Sequence, residues 1–113
     1  SLKIAEELGD KSGIAQTLHQ LGNIHYDQGN YQEAVKKYEE SLRIAEELGD
    51  KDGIARSYGQ LGGINEEQKD YIEAMRKYWI AFSILKELGS PDAKIVERSL
   101  ARLREKMGEK DSS

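Results

Sequence analysis

The chain has 113 residues, 37% of them hydrophobic and 34% charged, with one Phe and one Trp, so a single compact core would be thin. Its 17 basic and 21 acidic residues leave a net charge of -4, which argues against nucleic acid as a partner, because phosphate binding wants a basic field. It has no cysteine, which excludes disulfides and thiolate metal sites and fits a reducing, cytoplasmic compartment; no stretch approaches the roughly 20 apolar residues of a membrane span, and no signal peptide is visible.

In chain order, SLKIAEELGDKSGIA at 1–15 returns as SLRIAEELGDKDGIA at 41–55, and residues 1–40 set on 41–80 without a gap share 23 identities. A period of that strength is the mark of a repeat architecture, in which each unit buries its apolar face against its neighbours. Residues 1–8 read as the stub of a helix, ended at Gly9 and cut from a preceding repeat. Ile14, Leu18, Leu21, Ile24 and His25 then recur at spacings of three and four, a helical stripe predicting a helix over 13–28. Asp10 is its expected N-cap, and Gly29 can take the left-handed conformation that ends it.

Asn30 is expected to cap a second helix over 31–48, with Glu33 at the capping-box spacing and Gly49 as its stop. The pattern repeats with a helix over 53–68 after Asp50 and one over 71–88 after Asp70 and Glu73. Lys69 stands where Gly29 stood and should be slightly strained there. A third, partial copy follows an inserted Ser90-Pro91 and predicts a helix over 92–108, with Asp92 in place of Asp10. Val96, Leu100, Leu103 and Met107 fall on Ile14, Leu18, Leu21 and His25 in that copy, but Gly22 has become Arg104. A close second helix could not pack on an arginine, so 92–108 is expected to cap the array, exposing Lys94, Glu97, Arg98, Arg102 and Glu105 to water. Short connections make the helix pairs antiparallel hairpins. The organisation expected is a truncated helix at 1–9, repeats at 10–49 and 50–89, a capping helix at 90–108 and a frayed tail at 109–113.

Leu18, Leu21-Gly22, Ala34 and Tyr38, matched by Tyr58, Leu61-Gly62, Ala74 and Tyr78, resemble the tetratricopeptide repeat. Two departures stand out: His25 and Asn65 replace the usual Tyr, and Glu46 and Lys86 replace the helix-ending Pro. The missing Pro lets the second helix run on and lengthens the period to 40 residues from the usual ~34. The resemblance implies an all-α fold, a right-handed α-α superhelix of antiparallel hairpins, with a concave groove lined by the first helix of each pair. The motif also has its own physical sense. Gly22, Ala34, Gly62 and Ala74 are small enough for helix backbones to approach closely, and Tyr38 and Tyr78 fill the wedge between them.

No residue pattern asks for catalysis. His19 and His25 lie six apart on one helix and point about 120° from alignment, so they cannot share a metal. Glu6-Glu7, Glu39-Glu40, Glu46-Glu47 and Glu66-Glu67 diverge by about 100° within each pair, and no pocket is evident that would split their pKa values. The glycines of YGQLGG at 58–63 fall mid-helix, which speaks against a phosphate loop. The expectation is no enzyme, no cofactor and no metal.

The period also separates two classes of residue. Positions that repeat maintain the array, whereas positions that vary are free to carry specificity. Given the groove geometry that the resemblance implies, the varying groove sites are Gln16, His19, Asn23, Tyr26 and Asp27 in repeat one, and Arg56, Glu66 and Glu67 in repeat two. Arg56 and Arg98 are expected on one lip and Asp27, Glu66 and Glu67 on the other, opposing the helix macrodipole. Asn23 matches an Asn with which groove-binding members of the family hold a peptide backbone. Trp79 and Ile80 replace two solvated glutamates, and are expected either to lie under the cap or to form a contact patch on the outer face. The function expected is a scaffold that binds a partner peptide or helix in its groove. The alternative is a structural or oligomerisation segment that links other domains, and the bare side of the 1–8 stub is an expected site of homo-oligomerisation.

Overall fold

A computed structural model of the chain describes the backbone of residues 2–112 and the side chains of residues 9–108. All regular structure among them is helical: α1 (Leu2–Asp27), α2 (Tyr31–Leu48), α3 (Lys51–Glu67), α4 (Tyr71–Glu87) and α5 (Ala93–Ser112). The helices pack as antiparallel hairpins, the all-α class that the periodicity implied. The chain divides into two compact units, Ser1–Ser57 and Tyr58–Ser113, with the boundary inside α3.

In the first unit α1 and α2 meet at Gly22. A methyl group built there would come within 2.6 Å of the Tyr38 ring, so the tyrosine lies directly on the helix backbone. Tyr38 is 1% exposed and Ala34 fully buried. The Ser41 hydroxyl donates to the Ala15 carbonyl at 2.8 Å, fastening α2 to α1 at a second point. Gly29 makes the turn between them with φ of 75°. Gly49, at φ 68°, closes α2 by donating its N–H to the Ala45 and Glu46 carbonyls. The Asp50 carboxylate then accepts from the Gly53 N–H at 3.1 Å and opens α3. This is the predicted N-cap.

The second unit repeats the device. A methyl at Gly62 would come within 2.9 Å of the Tyr78 ring. Ala74, Tyr78, Leu100 and Leu103 form its core, with Tyr71, Met75, Phe82 and Val96 packed around them. Leu100 and Leu103 belong to α5, so the partial third copy docks its apolar stripe on α4. Lys69 takes the left-handed turn at φ 64° without being a glycine, as its alignment with Gly29 predicted. The Asp70 carboxylate accepts from the Glu73 N–H at 3.5 Å. Glu73 itself is drawn to Arg76 at 3.0 Å and Lys77 at 3.3 Å, so the reciprocal half of that box is replaced by ion pairs.

Three local expectations are corrected. No stop occurs at Gly9: α1 runs unbroken from Leu2 to Asp27, with Asp10 inside it rather than capping it. A straight helix keeps the backbone hydrogen bonds that a turn gives up, and only packing can offset that loss. Asn30 makes no side-chain cap on α2, and its carbonyl alone accepts from the Ala34 N–H at 3.1 Å. α5 begins at Ala93 and continues to Ser112, past the end predicted at 108; its entry is bonded by the Ser90 hydroxyl, which accepts from the Asp92 N–H at 3.2 Å. Gly108 is not among the glycines of positive φ, and among the described residues nothing lies within 4 Å of a methyl built there. The side chains of 1–8, on which the expected self-association rested, lie outside the described residues.

The predicted stripe on α1 is partly bare. Ile14 and Ile24 are each 51% exposed and Leu21 38%, while their repeat-two counterparts Leu61 and Ile64 are 5% and 0% exposed.

Candidate partner-binding site

A cleft opens in the first unit where α1 and the start of α3 rise over the end of α2. Gln16 and His19, three residues apart on α1, form one wall, and Arg56 of α3 forms the other. Ala15, Ser41, Ala45 and Gly53 make the floor. These small side chains keep it low, which is why a cleft exists at all.

His19 is half-buried, with its ring 5.2 Å from that of Tyr38 and tilted 52°. Burial lowers its pKa from the ordinary 6.5, and the positive charge of Arg56 lowers it further. The imidazole is therefore neutral at pH 7 and offers one N–H donor and one acceptor nitrogen. Arg56 is 51% exposed, and its pairing with Asp52 is loose, at 3.9 Å. An exposed pair of that length contributes little, so the guanidinium is available to another acceptor.

The other predicted residues of this unit stand elsewhere. The Asn23 side-chain oxygen accepts from the Tyr38 hydroxyl, whose pKa burial pushes up to about 12, with Asp27 and Tyr26 adding to the effect. Tyr26 packs against Tyr31 with ring centroids 5.5 Å apart. Both side chains thus serve the hairpin, a role their variation between repeats did not announce. Asp27 is exposed at the last turn of α1.

In the second unit Glu66 departs furthest from expectation. Predicted on an exposed acidic lip, its side chain is only 9% exposed. Its carboxylate accepts from the Tyr78 hydroxyl at 2.8 Å, from Arg102 Nε and Nη2 at 2.8 Å each and from Lys106 Nζ at 2.8 Å. The Arg102 hydrogen bonds are the main reason its pKa falls to about 2, with Lys106 and Tyr78 adding to them against the opposing effect of burial. Arg102, expected among the freely solvated charges of the cap, is instead the clasp that holds α5. The clue was available in part: Arg102 and Lys106 are one helical turn apart, and Glu66 replaces Tyr26. Nothing in the sequence joins position 66 to position 102, however. Glu67 remains exposed at the end of α3.

Trp79 is 43% exposed. It meets the Phe82 ring edge-on at 5.6 Å, and the Arg104 guanidinium lies 6.0 Å from its centroid. The residue that marked the end of the close-packed motif thus stands over the tryptophan ring, and Ile80 is part-buried. Among the described residues no three His, Cys, Asp or Glu side chains are grouped to hold a metal ion, and no helix is long and apolar enough to cross a membrane.

Antiparallel hairpins closed by an aromatic ring on a glycine, recurring every 40 residues, define a helical-hairpin repeat protein. Residues 1–78 match the tetratricopeptide repeat, well over half of the chain, and the chain belongs to that family. Such modules are generally protein–protein interaction scaffolds and typically non-catalytic. A comparison with curated proteins returned no match.

Proposed function

We propose that this chain binds a segment of a partner protein, extended or helical, and that the cleft of Gln16, His19 and Arg56 makes the first contact. One observation carries the reading: three residues that differ between the repeats converge on one cleft, over a floor in which Ala15, Ala45 and Gly53 recur as Ala55, Ala5 and Gly13. A neutral imidazole and an amide suit the polar edge of a peptide backbone, and the loosely paired guanidinium suits a carboxylate on the same segment. Asp27, exposed at the last turn of α1 in the same unit, extends the reading to a segment that also carries a basic residue. The repeat boundaries 10–49 and 50–89, with 90–108 as a cap, are part of the same proposal.

The test is selection from a displayed random peptide library, followed by binding to the Gln16→Ala, His19→Ala, Arg56→Ala triple variant. Enriched peptides should lose roughly tenfold or more in affinity, and the Gln16→Ala, Arg56→Ala double variant, which spares the His19–Tyr38 ring contact, should weaken their binding with thermal melting unchanged. Peptides that bind the triple variant as tightly would move the site elsewhere. A library that yields no binder would favour the second reading, a spacer or pairing segment, for which the exposed Ile14, Leu21 and Ile24 speak.

A further inference from the structure

Four charged residues of the second unit stand at positions where the first copy of the repeat carries no charge. Glu66 takes the place of Tyr26 and Lys69 that of Gly29, and the two-residue shift of the third copy sets Arg102 on Gln20 and Lys106 on Ile24. The second copy has Gln60 and Ile64 at those last two places, and Ile64 is fully buried. The array itself is thus built with neutral, partly apolar residues there. Ions in place of such a set often add nothing to stability, so these charges have a reason other than packing.

With Glu67 and Tyr71, all of them line one cleft. Glu66 is its buried wall. The carboxylate takes Nε and Nη2 of Arg102 and Nζ of Lys106, each at 2.8 Å, together with the Tyr78 hydroxyl. That fills the acceptor but not its donors: Arg102 keeps further Nη protons and Lys106 further ammonium protons. Both remain partly exposed, and the Lys106 ammonium lies 5.7 Å from the Tyr71 ring centroid. One carboxylate therefore holds two cations in place and neutralises one. Lys69 adds a third, exposed in the turn at φ 64°. Glycine makes the same turn without strain at Gly29. A lysine held in strained backbone where glycine would serve points to its side chain. Glu67, exposed at the rim, offsets part of the surplus, but the three cations still outnumber the two carboxylates.

From this convergence we infer that the cleft binds a tetrahedral oxyanion, the phosphate of a phosphate monoester, between Lys69, Arg102 and Lys106. The guanidinium edge that would grip a planar carboxylate is already engaged by Glu66. The donors left over are separate points, on a turn and on successive turns of α5. Such a set fits an ion whose oxygens diverge, and a doubly charged ion better than a singly charged one. Glu66 orients Arg102 and Lys106 before the ligand arrives, which lowers the ordering cost of binding. The site takes no residue from the cleft of Gln16, His19 and Arg56, so either reading can fail alone.

The test is a nuclear magnetic resonance titration of the whole chain with inorganic phosphate, exchanged for chloride at constant ionic strength above neutral pH. Saturable shifts are expected at Lys69, Arg102 and Lys106. Lys69→Gly should weaken phosphate binding about tenfold while raising the denaturation midpoint, opposite signs that damage to the fold would not produce. Lys106→Met, an apolar chain like Ile24 and Ile64, should weaken binding similarly, with amide exchange showing α5 still docked. Phosphoserine in a short neutral peptide separates the sources of the phosphate. Tighter binding than inorganic phosphate places it on a partner chain, equal binding on a small molecule, and both uphold the site. Three results overturn it: shifts that chloride alone produces, acetate bound as tightly as phosphate, or Lys69→Gly binding phosphate like the parent.

Discussion

At Gly22 a hydrogen in place of a methyl decides whether α1 and α2 can meet. Gly22→Ala puts a carbon 2.6 Å from the Tyr38 ring, and the ring is held by burial, so an overpacking cost of about 1–3 kcal/mol is expected in chemical denaturation. Gly59, also within a helix, has nothing within 4 Å; Gly59→Ala should stabilise by about 0.5–1 kcal/mol through helix propensity alone. The two substitutions are the same chemistry with opposite signs, and only the neighbour differs. Lys69 adds a third case. Its φ of 64° is a left-handed turn with a side chain attached, and Lys69→Gly should raise stability by about 1 kcal/mol, read as a shifted denaturation midpoint. That strain was legible in the sequence because Gly29 stands at the equivalent position.

Among the elements, α5 depends most on a single residue. Its apolar stripe, with Leu100 3% and Leu103 0% exposed, rests on Ala74 and Tyr78, and Glu66 fastens Arg102 and Lys106 beside it. Glu66→Gln leaves the two cations free to reach water, since they are 49% and 39% exposed, so the loss should be moderate, about 1–2 kcal/mol. Hydrogen exchange should show it first in α5. The pH dependence has a definite sign. Glu66 is held at about 2, below its ordinary 4.5, so its contribution is complete above pH ~4.5 and fades as pH falls toward ~2. Acid titration followed by exchange in α5 should show that fade in the parent and not in Glu66→Gln.

Over the whole molecule the scaffold and the proposed cleft use different residues. The repeat scaffold rests on residues that recur, and the proposed binding surface on residues that do not. Substituting Gln16 and Arg56, both exposed, should leave the unfolding free energy within about 0.5 kcal/mol of the parent, even where partner binding is lost. A large drop in stability would instead place the cleft among the residues that hold the fold.

The 40-residue echo by itself determined the hairpins, the glycine–tyrosine closure, the Asp50 cap and the strained Lys69, because each depends on neighbours close along the chain or on a copied position. It could not determine what Asn23, Tyr26 and Glu66 do. All three vary between repeats and so looked free, yet Tyr38, Tyr31 and the Arg102–Lys106 pair engage them. Nor could it decide whether Gly9 bends, since the same residues bend at Gly49. In both cases the deciding energy lies in contacts between helices: a carboxylate desolvated against a distant arginine, and an apolar edge covered in one copy and open in the other. A local pattern records which residues are able to make such contacts. Only the tertiary structure shows which ones are made.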